Sequence, residues 1–395
     1  MCLKRLLEDS IRQTLERGKS VLLLGARQTG KTTLLGQFQA DFSLSFIQPR
    51  IRQRYEKDPQ VLADELEAKI QLKPTEKLPL VILDEVQKVP QILDVVQYLI
   101  DQKKGQFILT GSSARKLKRT PDINLLPGRV VVFKMDPLVI QEFPEPPLLD
   151  SLLLFGSLPG IFSTGQNQDK ETDLESYVTT YLEEEIRMEA IVRNVALFAR
   201  FLELAASESG QIINFSKLSQ EIGVTQKTIS TYYEILEDCM IAERVQPLSE
   251  SKTRKKLTKS CKYLFFDLGI RRFCAKEGSQ LPRETMANLF EQFVGLELIR
   301  SARVSHRSIQ IQFWRDPDGP EVDWVLHESG YYTPIEVKWS DLPTYRDARH
   351  LETFLKEYPT HGEAYLICQT PHPMKIADNI IAIPWQEMDS LIFKK

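Results

Sequence analysis

The sequence predicts an α/β fold in several domains, and three observations carry that expectation. Five short apolar runs alternate with helical patterns over residues 1–145, a glycine-rich loop follows the first run, and the last third of the chain returns to strands separated by hairpin turns. Runs at 21–24, 43–47, 80–83, 107–109 and 130–133, with helices between them, describe a parallel sheet flanked by helices. The proline-rich segment 137–147 closes that unit. Residues 148–193 read as amphipathic helix with an internal break at 155–160, a lid or connector. Over 196–247 the pattern is helix, helix, sharp turn, helix, strand, with Gly223 in the turn and Thr225 as N-cap, which matches a helix-turn-helix. Strands at 241–245 and 263–266 then frame a lysine-rich segment as the wing of a winged helix. The final segment reads as helix (285–300), three strands (308–315, 321–327, 332–338), helix (345–358) and strand (364–368), with Asp316-Pro317-Asp318-Gly319 and Glu328-Ser329-Gly330 as turns. The domains expected are therefore 1–147, 148–195, 196–262 and 263–395.

Composition narrows the class. The 395 residues are 42% hydrophobic and 27% charged with only 18 glycines, which excludes low-complexity disorder and leaves room for two or three cores. Apolar runs stop far short of the ~20 residues a membrane helix requires, so no membrane partner is expected. The first nine residues become charged again before a signal-peptide core forms. Five scattered cysteines without C-x-x-C spacing read as reduced thiols of a cytoplasmic protein, and five dispersed histidines leave any catalytic metal to carboxylates. A net charge of −3 neither requires nor excludes nucleic acid.

Residues 25–32, Gly-Ala-Arg-Gln-Thr-Gly-Lys-Thr, are a G-x-x-x-x-G-K-[ST] loop between a strand and a helical stretch at 33–38. Glycines let backbone N–H groups wrap phosphates, Lys31 reaches the β- and γ-phosphates, and Thr32 offers a hydroxyl to Mg²⁺. Gly25, Gln28, Thr29, Gly30, Lys31, Thr32 and Thr33 are thus the expected triphosphate site. The apolar run 80–83 ends in Asp84 and Glu85, a pair suited to holding Mg²⁺ (Asp84) and orienting an attacking water (Glu85). The run 107–109 ends in hydroxyls, so Thr110 or Ser112 is expected to sense the γ-phosphate; a turn or helix cap is the plainer alternative. Arg129 and Arg115 are candidates for an arginine finger in a neighbour's site.

Glu336-Val337-Lys338 sets a carboxylate and an ammonium on one strand face, with Asp323 on the preceding antiparallel strand. Asp323 and Glu336 are expected to share Mg²⁺, Glu291 to complete the acidic cluster, and Lys338 to hold the hydrolytic water. Thr225, Gln226, Lys227, Thr231 and Tyr232 are expected to face a DNA groove. Lys252, Arg254, Lys255, Lys256, Lys259 and Lys262 would contact phosphates, which carry affinity without sequence information. A protein-contact role for the helices, and a merely solvated lysine loop, stand as alternatives.

The loop, Leu83-Asp84-Glu85-Val86-Gln87-Lys88-Val89-Pro90, Leu109-Thr110-Gly111-Ser112-Ser113 and Gly128-Arg129-Val130 together resemble the AAA-type ATPases of bacteria and archaea that carry a C-terminal domain of unknown function. The resemblance continues through Tyr177-x-x-x-Tyr181-Leu182-Glu183, Tyr263-Leu264-Phe265-Phe266-Asp267-Leu268-Gly269 and the final Glu/Asp/Glu/Lys set. It departs at Glu184-Glu185, where that family has an Arg-Asp pair. It implies ATP with Mg²⁺ as cofactor, a homo-oligomer (a dimer, or a ring such as a hexamer), and a C-terminal core like the PD-(D/E)xK nucleases. Two functions share every motif: a DNA motor or remodeller that cuts, perhaps branched or damaged DNA, and a slow ATP-gated regulatory or defence switch whose C-terminal parts only recognise DNA or a partner.

Overall fold

Strands β1 (Ser20–Leu24), β2 (Phe42–Ser45), β3 (Leu80–Asp84), β4 (Gln106–Gly111) and β5 (Val130–Lys134) pair in parallel in the order β2-β3-β4-β1-β5. Helices cover the sheet, so central strands read as continuous apolar runs rather than alternating ones: every residue of β1 is buried. The helix Ile92–Asp101 buries Ile92, Leu93, Val95, Val96 and Leu99 in the same cluster as Leu83, Phe107 and Leu109. Burial of such side chains contributes about 1.5–3 kcal/mol each. Because β4 lies between β1 and β3, three strand ends meet at one edge, and the Gly25 N–H donates to the Gly111 carbonyl at 3.3 Å.

The structure is a computed structural model that describes residues 3–72, 77–112, 126–182, 194–248, 260–305, 307–316 and 319–393. Its chain divides into two units, residues 1–137 with 238–240, and residues 138–237 with 241–395. No described helix is long and apolar enough to cross a membrane.

In the second unit, helices Val195–Ser207, Phe215–Ile222 and Gln226–Asp238 precede strands β6 (Ala242–Pro247) and β7 (Lys262–Phe265), which pair antiparallel. Asn214 caps the middle helix by accepting from the Lys217 N–H, and Gly223, at φ 81°, ends it. Strands β8 (Gln310–Arg315), β9 (Glu321–Glu328), β10 (Tyr331–Val337), β11 (Ala364–Cys368), β12 (Met374–Ala377) and β13 (Ile380–Pro384) follow. All eight form one sheet in the order β12-β13-β11-β10-β9-β8-β6-β7. β6 joins β8 through Gln246 opposite Gln312 and Pro247 opposite Phe313, so the sheet runs across residue 262, where the sequence suggests a boundary.

The helix Arg283–Val304 lies against β9 at Gly295, where a Cβ would overlap the Trp324 indole. Trp324 Nε1 donates to the Glu291 carbonyl at 3.2 Å, which fixes Glu291 one turn away and beside Asp323.

Candidate functional site

Leu24 ends β1, and the chain turns through Gly25–Thr32 into a helix, Lys31–Leu35, that is shorter and starts earlier than the helical stretch expected at 33–38. Gly25 is required: a Cβ there would lie 2.5 Å from the Met135 carbonyl oxygen. Gln28 (φ 62°) and Gly30 (φ 96°) are left-handed, the backbone shape that turns successive N–H groups toward one anion. The Lys31 ammonium is buried and donates to the carbonyls of Gly25 (2.8 Å) and Ala26 (2.9 Å). Thr29 is buried and donates to the Ala26 carbonyl, while Thr32 and Thr33 are exposed. Arg5 braces the loop by donating to the carbonyls of Thr29 and Asp136, both at 2.7 Å. Nothing in the sequence distinguishes Arg5 from Lys4 for that role.

Beside this loop, Asp84 ends β3 and is buried. It accepts from Ser45 (3.1 Å) on one oxygen and from Thr110 (2.5 Å) on the other. The Thr110 hydroxyl also accepts from the Glu85 N–H at 3.1 Å. Thr110 is therefore hydrogen-bonded to both residues of the carboxylate pair. Its position inside the sheet, next to β3, is the cause. Glu85 leaves the strand at φ 61°, and its Oε2 accepts from the Gln87 side-chain amide. The same amide donates to Ser112 Oγ at 2.9 Å, so Gln87 ties the carboxylate to the end of β4. Sequence reasoning gave Gln87 no role; an amide two residues past the acidic pair was the available signal.

These groups fit a nucleoside triphosphate with Mg²⁺. Gln28 and Gly30 give the loop the left-handed turn of an anion-binding nest, Lys31 supplies a buried cation, and Thr32 and Asp84 carry oxygens of the kind Mg²⁺ takes. Arg129 begins the opposite edge of the sheet, next to β5, where it is held by Asp101 in a bidentate pair of 2.6 and 2.9 Å. That pair is what raises the Arg129 pKa and lowers that of Asp101. Arg115 and Ser113 lie outside the described residues.

The second unit brings Glu291, Asp323, Glu336 and Lys338 together, and adds Lys262. Lys338 Nζ donates to Glu336 Oε1 at 2.6 Å, and Asp323 Oδ2 accepts from the Val337 N–H at 2.8 Å. Burial pushes the Glu336 carboxyl up to about 7 against the pull of Lys338. Burial, then the charges of Glu336 and Glu291, raises Asp323 well above the usual carboxylate range. Lys262 is not on a solvated wing, as expected. Its side chain is 11% exposed, with Nζ 3.0 Å from Glu291 Oε1 and over the rings of Phe313 (5.0 Å) and Trp324 (5.5 Å). Burial alone would lower its pKa, and the Glu291 and Asp323 carboxylates outweigh it and raise it. The register of β7 on β6, carried onto β8, turns this lysine inward.

The acidic cluster does not fit a divalent cation as arranged. Among the described residues, no group of three or more His, Cys, Asp or Glu side chains is placed to hold a metal ion. Lys262 and Lys338 each set an ammonium against one of the cluster's carboxylates, Glu291 and Glu336. The adjoining cavity is about 60 Å³, room for about two waters.

Thr225, Gln226 and Lys227 are exposed at the start of the helix Gln226–Asp238. Thr225 Oγ1 caps that helix by accepting from the Thr228 N–H, and Gln226 donates to Ser216 Oγ at 2.9 Å. Thr231 is half-buried, and Tyr232 does not face a groove: it is buried against Phe198 and Phe201. Lys252, Arg254, Lys255, Lys256 and Lys259 lie outside the described residues, as do Glu184 and Glu185.

A parallel sheet with β4 between the loop strand and the acidic strand, with the Lys31 loop following one and Asp84–Glu85 closing the other, defines a P-loop domain of the AAA ATPase class. More particularly, residues 17–144 match an AAA domain, and residues 286–388 match a domain of unknown function, DUF4143, so the chain is an AAA domain followed by a C-terminal DUF4143 domain. Residues 147–281 between them match a further domain of unknown function, DUF8612. Uncharacterized proteins of Mycobacterium tuberculosis and Mycobacterium bovis are each 24% identical over 379 residues, 95% of this chain and 82% of theirs. A chain from Drosophila ORC bound to AT-rich DNA and Cdc6 overlaps 68% of this chain and 90% of its own at 9% identity and a TM-score of 0.26. The Bacillus subtilis DNA clamp loader delta protein overlaps 58% and 87% at 11% identity and 0.22. Overlaps this loose bear no functional weight.

Proposed function

We propose that this chain hydrolyses ATP at the loop site and couples that cycle to DNA. The observation that carries the hydrolysis reading is the oriented pair beside the loop: Asp84 held by Ser45 and Thr110, Glu85 held by Gln87. Gly25, Gln28, Thr29, Gly30 and Thr33 would form the cradle, Lys31 would neutralise the phosphates, and Thr32 with Asp84 would hold Mg²⁺. The ion supplies charge neutralisation at the γ-phosphate when bound. Glu85 accepts a hydrogen bond from the attacking water and aligns it. Gln87 acts through Glu85 as a positioning residue. Gln87→Ala is expected to lower kcat by about 10- to 100-fold, since small misplacements cost that much, while leaving nucleotide affinity within a few-fold. Equal losses in kcat and affinity would contradict the positioning role.

DNA coupling is supported by the exposed Thr225, Gln226 and Lys227 on the second helix of a helix-turn-helix, followed by an antiparallel pair as in winged helices. A homo-oligomer with Arg129 as a finger in trans would require that arginine to leave Asp101. The test is the steady-state ATPase rate with and without duplex, single-stranded and four-way DNA, with Glu85→Gln as the control for contaminating activity. Several-fold stimulation by one form is expected and would name the substrate. A low rate unchanged by all three would sink the coupling.

The second reading is an ATP-gated switch whose C-terminal unit serves recognition rather than cleavage. The inward-facing Lys262 favours it, because its ammonium is paired with Glu291, a carboxylate that cleavage would need for a metal.

A further inference from the structure

We propose, on the footing that the loop binds ATP, that Arg5 is a positioning residue for the nucleotide. Its guanidinium locks the peptide between Thr29 and Gly30 in the orientation that offers the Gly30 N–H to a phosphate, and so sets the affinity of the loop without entering the reaction.

Thr29 lies between the two left-handed residues of the loop, Gln28 (φ 62°) and Gly30 (φ 96°). Its carbonyl and the Gly30 N–H belong to one planar trans peptide, so they point to opposite sides of the chain. The carbonyl is turned to Arg5 Nη1 at 2.7 Å, and the Gly30 N–H is therefore turned away from Arg5. Arg5 is 7% exposed, so the side it occupies is filled with protein and a phosphate can meet only the other. With no Cβ on Gly30, the reversed peptide meets little steric resistance. Reversed, it would present an anion with a carbonyl oxygen in place of a donor. A charged donor on the Thr29 carbonyl decides between the two orientations, because such hydrogen bonds are the stronger kind.

Arg5 is also tied elsewhere. Nη2 donates to the Asp136 carbonyl at 2.7 Å and to the Pro137 carbonyl at 3.5 Å. The same short stretch holds the start of the loop: the Met135 N–H donates to the Leu24 carbonyl at 2.6 Å, and the Met135 carbonyl packs against Gly25. Residues 135–137 thus fix both ends of the loop, one by direct contact and the other through the guanidinium. Lys31 cannot do this, since it must release the Gly25 and Ala26 carbonyls to reach a phosphate. Arg5 has no such exchange to make and holds Thr29 before and after the nucleotide arrives. A lysine in its place would bring the charge but not the planar fork that spans two carbonyls.

The experiment measures ATP and ADP affinity by titration calorimetry, and kcat at saturating ATP, on the full chain. Arg5→Ala is expected to weaken both affinities about 10- to 100-fold, the scale of one hydrogen bond to a charged group, while kcat moves by no more than a few-fold. Arg5→Lys is expected to fall between wild type and Arg5→Ala. A folded Arg5→Ala that binds as tightly as wild type would overturn the proposal. Equal losses in affinity and kcat would overturn it too, because the whole site and not one peptide would then have moved. If Arg5→Ala does not fold, Arg5→Lys carries the test, and unchanged affinity there has the same meaning. Wild type that binds neither nucleotide would sink the ATP reading and this proposal together, whereas wild type that binds while the Arg5 variants bind equally well sinks this proposal alone.

Discussion

Replacing Lys31 by alanine is expected to reduce ATP turnover at least about 100-fold, the scale seen when a preorganised electrostatic donor is removed from a reacting group. The ammonium is buried at the loop and held by the Gly25 and Ala26 carbonyls, so it is in place before a nucleotide arrives and needs only to exchange those acceptors for phosphate oxygens. Lys31→Arg is expected to fail almost as badly, because a planar guanidinium cannot replace a point charge in that closed loop. Turnover and the binding of a fluorescent nucleotide would be measured together, with melting temperature as the control for folding. Both should fall in Lys31→Ala while the melting temperature of the nucleotide-free protein changes little. Turnover within a few-fold of wild type would remove the loop from the phosphate-binding role altogether.

What made Lys31 readable in advance was chemistry confined to eight consecutive residues. The strands were readable for a related reason: β1, β3 and β4 are buried on both faces, so their apolar character is continuous in the sequence. Lys262 shows the opposite case. Six lysines and arginines between 252 and 262 look alike, and only the continuation of the β6–β7 pair onto β8 separates the last of them. Gln87 and Arg5 depend similarly on which strands lie side by side, since their partners are 25 and 24 residues away. Tyr232 is different again, because its signal was present. Ile229, Tyr232, Tyr233 and Leu236 follow the i, i+3, i+4, i+7 spacing of a buried helix face. The β12–β13 hairpin also had a legible turn, Asp378-Asn379, with Asn379 left-handed at φ 61°.

The largest stability effect is expected from Arg300→Ala, a loss of about 3–5 kcal/mol, the cost of stranding a buried charge network by removing one partner. Arg300 is 4% exposed and donates to the Ser157 hydroxyl (2.9 Å), the Leu138 carbonyl (3.3 Å) and the Phe266 carbonyl (2.5 Å). It also lies 3.5 Å from Glu297, whose carboxyl burial pushes up to about 7. Close by is Asp267, wholly buried, which accepts from the N–H groups of Ser157 (2.8 Å) and Ile270 (3.2 Å). Burial raises the Asp267 pKa, opposed by the Ser157 N–H and then by the Arg300 charge. The packing there is tight enough that a Cβ on Gly156, itself at φ 72°, would overlap the Asp267 carboxylate. The site therefore cannot relax to readmit water when the guanidinium goes. Alanine leaves three acceptor oxygens and two carboxyls without their cation, whereas Arg300→Lys keeps the charge but reaches fewer of those oxygens and should fall between. Urea unfolding followed by intrinsic tryptophan fluorescence reads this directly, because all four tryptophans (Trp314, Trp324, Trp339 and Trp385) belong to the second unit. A loss below about 1 kcal/mol, the worth of a single ordinary hydrogen bond, would mean that Asp267 and Glu297 are protonated in the folded chain and never required the arginine's charge.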